Sequence, residues 1–268
     1  MLSFQFSRLG LLSLAFVLPL LTVSALSNQP TLASTRNKQV TFAPRKDQPR
    51  PKYTVGGGRR SEEKCPQDRL QNSANPQVKS VSRLLTPLVP GKELLPGQER
   101  EVQFTMNARP TLLVYIPSTR AKAIEVTLYV QENRREKGVY QTMSKLPPSP
   151  GIMRITLPPE APALEVGRDY KWSVALACQT RRPAPSDPFT ERLIRRIEPG
   201  AELVSKLKQT TGLGRAALYG EAGFWYEMVA ELADLRQAKP EDGAISSNWL
   251  NLLQTAGFGE LAEVPLRN

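Results

Sequence analysis

Between residues 101 and 178 the chain alternates apolar and polar side chains with period two, and turn residues separate one alternating segment from the next. "EVQFTM" (101–106) and "TLLVYI" (111–116) flank the turn "NARP". "AIEVTLYVQE" (123–132) sets Ile124, Val126, Leu128 and Val130 against Glu125, Thr127 and Tyr129. "GVYQTMSKL" and "GIMRITL" follow, parted by "PPSP", and "DYKWSVALAC" (169–178) puts Tyr170, Trp172, Val174, Leu176 and Cys178 on one face. Alternation of this kind gives each strand one face to bury and one to show. With a short strand near Leu84–Val89, about seven strands predict an antiparallel, immunoglobulin-like β-sandwich over 61–182, and not a βαβ fold.

After "RRPAPSDP" the period changes and a helical layer is expected over 183–268, which makes the chain α+β. "FTERLIRRIE" and "GAELVSKLKQT" read as helices, the second ended by Gly212. "GRAALYGEAGFWYEMVAELADLRQ" (214–237) reads as one long helix, with Leu218, Ala222, Trp225, Val229 and Leu232 recurring at four-three spacing. "EDGAISS" reads as a turn, with Ser247 capping "NWLNLLQTAG".

The first 25 residues have the pattern of a secretory signal peptide: Arg8, the uncharged run "LGLLSLAFVLPLLTVSAL", then small residues, with cleavage expected after Ala25. No later segment is apolar enough to span a membrane, so the expected location is periplasmic or extracellular. Two cysteines in an exported chain most simply pair, the alternative being two structural thiols. Cys65 and Cys178 stand 113 positions apart, and a bridge closing so long a loop stabilises by about 4–5 kcal/mol on the chain-entropy model.

The formal charge is +11, but +7 of it falls between Ser34 and Arg60. The basic character therefore belongs to a leader, in which Pro30, Pro44, Pro49 and Pro51 interrupt a polar stretch. Residues 26–60 read as a disordered linker whose charge suits anionic surfaces of the envelope, not nucleic acid.

Chemistry is constrained mostly by what is missing. The chain has no histidine, which removes Ser-His-Asp and Cys-His catalysis and every histidine metal site. Paired cysteines also remove thiolate nucleophiles and thiolate zinc sites. Carboxylate-pair hydrolysis, serine–lysine chemistry or binding without catalysis survive. The glycines of "YTVGGGRRSEEKCPQ" lack the strand and helix that aim a phosphate loop, so Gly56–Gly58 read as a hinge. Ser205-x-x-Lys208 and Ser246-Ser247-Asn248 match two penicillin-recognising elements, but the Lys-Thr-Gly element is absent. Glu227, Glu231 and Asp234 read as a solvated helix face. No catalytic residue, metal ligand or cofactor site is assigned.

"GFWYE" holds the most interesting side chains. Three consecutive aromatics span about 200° of a helix, so Phe224, Trp225 and Tyr226 cannot all face one core: either the helix is buried on two sides, between the sheet and another helix, or one ring stays exposed. An exposed ring among them, or Trp249, would contact a partner protein or a glycan. The ordered series "GGGRR…CP", "LTPLVP", "RPTLLVYIP", "VYQT", "GIMRITLP", "LEVGRDYKWSVALAC", "AGFWYEMVAELADLR" and "WLNLLQTAGF" resembles the cyanobacterial domain of unknown function 928 from about Gly56 to Leu266. The resemblance implies a secreted or periplasmic cyanobacterial protein and carries no catalytic residues to transfer. The expected function is a non-catalytic interaction module of the cell envelope that meets a protein or polysaccharide. The alternative is a glycan-binding or glycan-cleaving sandwich, which needs a groove lined by aromatics such as Tyr115, Tyr129 or Trp249 with two facing acids.

Overall fold

Among the described residues, seven of nine strands lie where period two places them. The computed structural model describes residues 39–47, 64–68, 84–91, 101–132 and 135–267. The signal-peptide segment and Gly56–Gly58 lie outside these residues. The strands are β1 (Thr86–Pro87), β2 (Val102–Thr105), β3 (Thr111–Ile116), β4 (Ala123–Glu132), β5 (Arg135–Ser144), β6 (Gly151–Thr156), β7 (Asp169–Ala177), β8 (Phe189–Arg196) and β9 (Leu266–Arg267). They form a four-stranded sheet ordered β1-β3-β6-β9 and a five-stranded sheet ordered β2-β8-β7-β4-β5. In β7 the alternation is realised directly: Tyr170, Trp172, Val174 and Leu176 are all buried, with Cys178 just beyond.

The segment expected as a helix, "FTERLIRRIE", is instead strand β8. It pairs antiparallel with β7, from Asp169 opposite Arg195 to Ala175 opposite Phe189. Pro188 and Pro199 confine it to a stretch too short to hold a helix on propensity alone. A strand there occupies the slot between β7 and β2, and Arg195 grips Asp169 with Nε at 2.5 Å and Nη2 at 2.7 Å. Two pairings, β2–β8 and β6–β9, are parallel. The two sheets are therefore mostly, but not entirely, antiparallel.

Four helices follow: α1 (Ala201–Gln209), α2 (Gly212–Glu221), α3 (Trp225–Ala238) and α4 (Gly243–Thr255). The expected single helix over 214–237 is broken in two. Gly223 takes φ +77°, and Phe224 N–H donates back to the Tyr219 carbonyl at 2.9 Å. That left-handed glycine closes the first helix and lets the second leave in a new direction. The expected Ser247 cap is corrected as well. Asp242 caps α4, its Oδ1 accepting from Ala244 N at 2.9 Å and Ile245 N at 3.2 Å. Ser247 lies inside the helix and donates to the Gly243 carbonyl at 2.7 Å.

Helix α3 joins the two sheets. Trp225 Nε1 donates to the Leu88 carbonyl beyond β1 at 2.7 Å, and Trp172 Nε1 of β7 donates to Tyr226 Oη at 2.9 Å. Burial pushes the Tyr226 hydroxyl far above the ordinary tyrosine range, so it stays neutral and able to accept. Farther along, Arg154 of β6 pairs with Asp234. Asn37–Asn268 is one structural unit, and strands and helices share one buried core. Cys65 and Cys178 form a disulfide with Cα atoms 5.4 Å apart. It ties the entry of the unit to the end of β7, with β8 still to come. Around it, Gln67 Nε2 donates to the Cys178 carbonyl at 2.6 Å and Asp68 Oδ1 accepts from Arg120 N at 2.9 Å.

Candidate functional site

The expected leader contains a docked segment. Residues Gln39–Asp47, without helix or strand, lie over the turn between α2 and α3 and reach α4. Val40, only 2% exposed, donates its backbone N–H to Asn248 Oδ1 of α4 at 2.6 Å. Asn248 is itself buried and donates through Nδ2 to the Ala244 carbonyl at 2.8 Å. Two residues on, the Phe42 ring meets the Trp225 indole edge-on with centroids 5.0 Å apart. Ala43 N–H then donates to the Gly220 carbonyl at 3.1 Å, and the Arg45 guanidinium lies 5.7 Å from the centre of the Phe104 ring. The classification of 26–60 as disordered linker thus fails at Gln39–Asp47, because Val40 and Phe42 bury apolar surface there. Arg45 is also ion-paired with Asp47, so part of the basic charge assigned to outside surfaces is used within the segment.

The groove floor is shaped by glycine. A Cβ on Gly220 would stand 2.2 Å from the Thr41 carbonyl oxygen, and one on Gly223 would stand 2.4 Å from Arg45 Cγ. Both are far inside van der Waals contact, so each glycine admits the crossing chain. The site is therefore a bare helix turn, an aromatic wall from Trp225, a backbone acceptor from Gly220 and an amide from Asn248. Such a set recognises a short linear segment through its main chain and an apolar–x–aromatic pair. It holds no acid–base pair and no nucleophile.

The candidate partner or glycan contacts Phe224, Trp225, Tyr226 and Trp249 are all buried, none more than 2% exposed. Trp225 packs against Phe42 of its own chain. Trp249 donates Nε1 to the Ala262 carbonyl at 3.1 Å. Tyr115 is buried, and burial pushes its hydroxyl up, with Glu260 adding to the rise. Tyr129 carries the Lys171 ammonium 4.8 Å from its ring centre. These rings do not line a common open groove.

The acidic stripe of α3 is solvated only in part: Asp234 is exposed and Glu231 half-buried, but Glu227 is buried. Glu227, 5% exposed, accepts at Oε1 from Thr105 Oγ1 at 2.5 Å, Met106 N at 3.0 Å and Asn107 N at 3.1 Å. Burial pushes its carboxyl above the ordinary range and the three donors oppose that. Glu231 pairs with Arg215 at 2.9 Å. The break at Gly223 was the missing signal, because it sets Glu227 in the first turn of a new helix, where carboxylates are favoured. Ser205 and Lys208 are exposed on α1, while Asn248 is committed to Val40. Among the described residues no cluster of three or more His, Cys, Asp or Glu is placed to hold a metal, and no helix is long and apolar enough to cross a membrane.

Residues 55–266 match the family described as Domain of Unknown Function (DUF928). The chain belongs to the DUF928 family. No curated protein and no solved structure matches it. The matched span includes Gly220, Gly223, Trp225 and Asn248 but not Gln39–Asp47, so the DUF928 region supplies the groove and a segment outside it supplies the occupant.

Proposed function

We propose that this DUF928 protein is a non-catalytic interaction module of the cell envelope, a sandwich-type scaffold whose α2–α4 groove docks short linear segments of partner proteins. The observation that carries the reading is the groove's occupancy by residues from outside the matched region, held by two main-chain hydrogen bonds and one aromatic contact. Such a contact set is small enough to exchange and specific enough to select. The intramolecular segment holds the site at high effective concentration, and a partner competes with it. An extracytoplasmic setting is supported by the buried Cys65–Cys178 bridge and the apolar leader.

The test is a fluorescent peptide of sequence QVTFAPRKD added to the full chain and to a chain carrying Phe42→Ala, read by anisotropy. The peptide binds the Phe42→Ala chain more tightly than the native one, because its internal competitor is weakened. A peptide with alanine in place of its phenylalanine does not bind. Equal, residue-independent binding to both chains, or none to either, refutes the docking role.

A further inference from the structure

A second concavity lies where α3 ends against α4 and the C-terminal strand, away from the groove residues. It encloses about 310 Å³ and is lined by Arg236, Gln237, Ser246, Trp249, Glu263 and Leu266, among others. That is the lower end of the range for small-molecule sites.

Its distinguishing residue is Arg236. The guanidinium lies 5.4 Å from the Trp249 ring centre, and Nη1 donates to the Ala262 carbonyl. The same carbonyl accepts from Trp249 Nε1 at 3.1 Å, so one backbone oxygen fixes both planar groups. Among the described residues no carboxylate pairs with this guanidinium. By contrast, Arg215 pairs with Glu231 and Arg154 with Asp234. Arg236 is thus a pre-oriented, half-buried cation with unused donors on the wall of the cleft, backed by the buried Trp249 ring. Burial draws it below the usual arginine range, and the Glu263 charge offsets this only in part. An incoming anion would complete the balance.

The geometry points to a binding site for a small monocarboxylate, whose two oxygens meet the free edge of the Arg236 fork while a short apolar body rests against Pro240 and Leu266. A planar fork suits a carboxylate bidentately. Glu263 on the rim repels a dianion such as phosphate while tolerating a single charge that Arg236 neutralises. Ser246 and Gln237 supply polar contacts at the mouth.

The probe is N-acetylglycine set against its uncharged primary amide, on the full oxidised chain, followed through the Trp249 indole N–H in two-dimensional NMR spectra. The acid shifts that resonance in a saturable curve and the amide does not. Arg236→Lys, which keeps the charge but loses the fork, weakens binding at least tenfold. Ser246→Trp, which blocks the mouth and leaves Arg236 in place, abolishes it. An equal response to acid and amide, undiminished binding in both variants, or no saturable response in the millimolar range overturns the proposal. Inorganic phosphate binding as well as the acid would refute the monoanion selectivity.

Discussion

The Phe42 ring meets Trp225 edge-on at 5.0 Å, joining a leader residue to the first turn of α3 across most of the chain's length. Edge-to-face pairs contribute about 0.5–1.5 kcal/mol beyond the area they bury. Phe42→Ala therefore weakens the segment's docking by about 1–2 kcal/mol, a five- to thirty-fold drop in its docking equilibrium constant. Hydrogen exchange at Val40 and Ala43 should accelerate by that factor, and trypsin should cut faster at Arg45 and Lys46. Unchanged exchange at both amides would show that the ring contact does not hold the segment.

Gly220→Ala separates the groove from the helix that bears it. Inside a helix this change usually stabilises by about 1 kcal/mol. Here the added Cβ would stand 2.2 Å from the Thr41 carbonyl and 2.7 Å from Met228 Sδ. The methionine can turn aside, but the backbone carbonyl cannot without moving the segment. Helix content by circular dichroism should hold or rise, while protection at Val40 and Ala43 disappears. Gly243→Ala is the control, since a Cβ there meets nothing within 4 Å. Retained protection in the Gly220→Ala chain would contradict this account of the cradle.

Strands were legible because period two is a local signal with a single reading, as in Tyr170–Cys178. Phe189–Arg196 misled because Leu193, Ile194 and Ile197 fit a helix as well as a strand, and only the open edge of β7 decides between them. Gly223 illustrates the same limit at the site. Whether a glycine breaks a helix depends on its φ, and here that is tied to what crosses above it. Gln39–Asp47 was hidden by composition: the basic and proline residues around it suggest disorder, while Val40 and Phe42 alone carry the alternation that docks it. The disulfide needed only a count of cysteines.

Cys65 and Cys178 offer a stability test independent of the groove. Both are fully buried, and their sequence separation is 113. Replacing both by alanine should lower the unfolding free energy by about 4–5 kcal/mol on the chain-entropy model, read as a drop in urea midpoint with a higher m-value, because the unbridged unfolded chain exposes more surface. A loss below about 1 kcal/mol would mean that the unfolded chain is already restrained in this region.

Glu227 links α3 to the end of β2 and should make stability depend on pH. Oε1 takes three donors, whereas Oε2 is buried without a hydrogen-bond partner. Burial dominates and raises the folded-state pKa above the ordinary value of 4.5, so the folded protein holds this proton more tightly than the unfolded chain. The stabilisation from protonated Glu227 is then fully present below about 4.5 and is lost as pH rises through the folded pKa. Glu227→Gln has no titrating group and lacks that slope. The stability of the native chain relative to this variant, from urea midpoints between about pH 4 and 8, should be greatest at the acid end and decline toward neutrality. Glu227→Ala leaves Thr105 Oγ1 and Met106 N without this acceptor, while Asn107 N keeps Thr105 Oγ1 at 3.1 Å; it should cost about 3 kcal/mol at the acid end, the cost falling toward neutrality with the same slope. A difference between native and Glu227→Gln that grows as pH rises would mean that the three donors outweigh burial, and that Glu227 is held as a carboxylate.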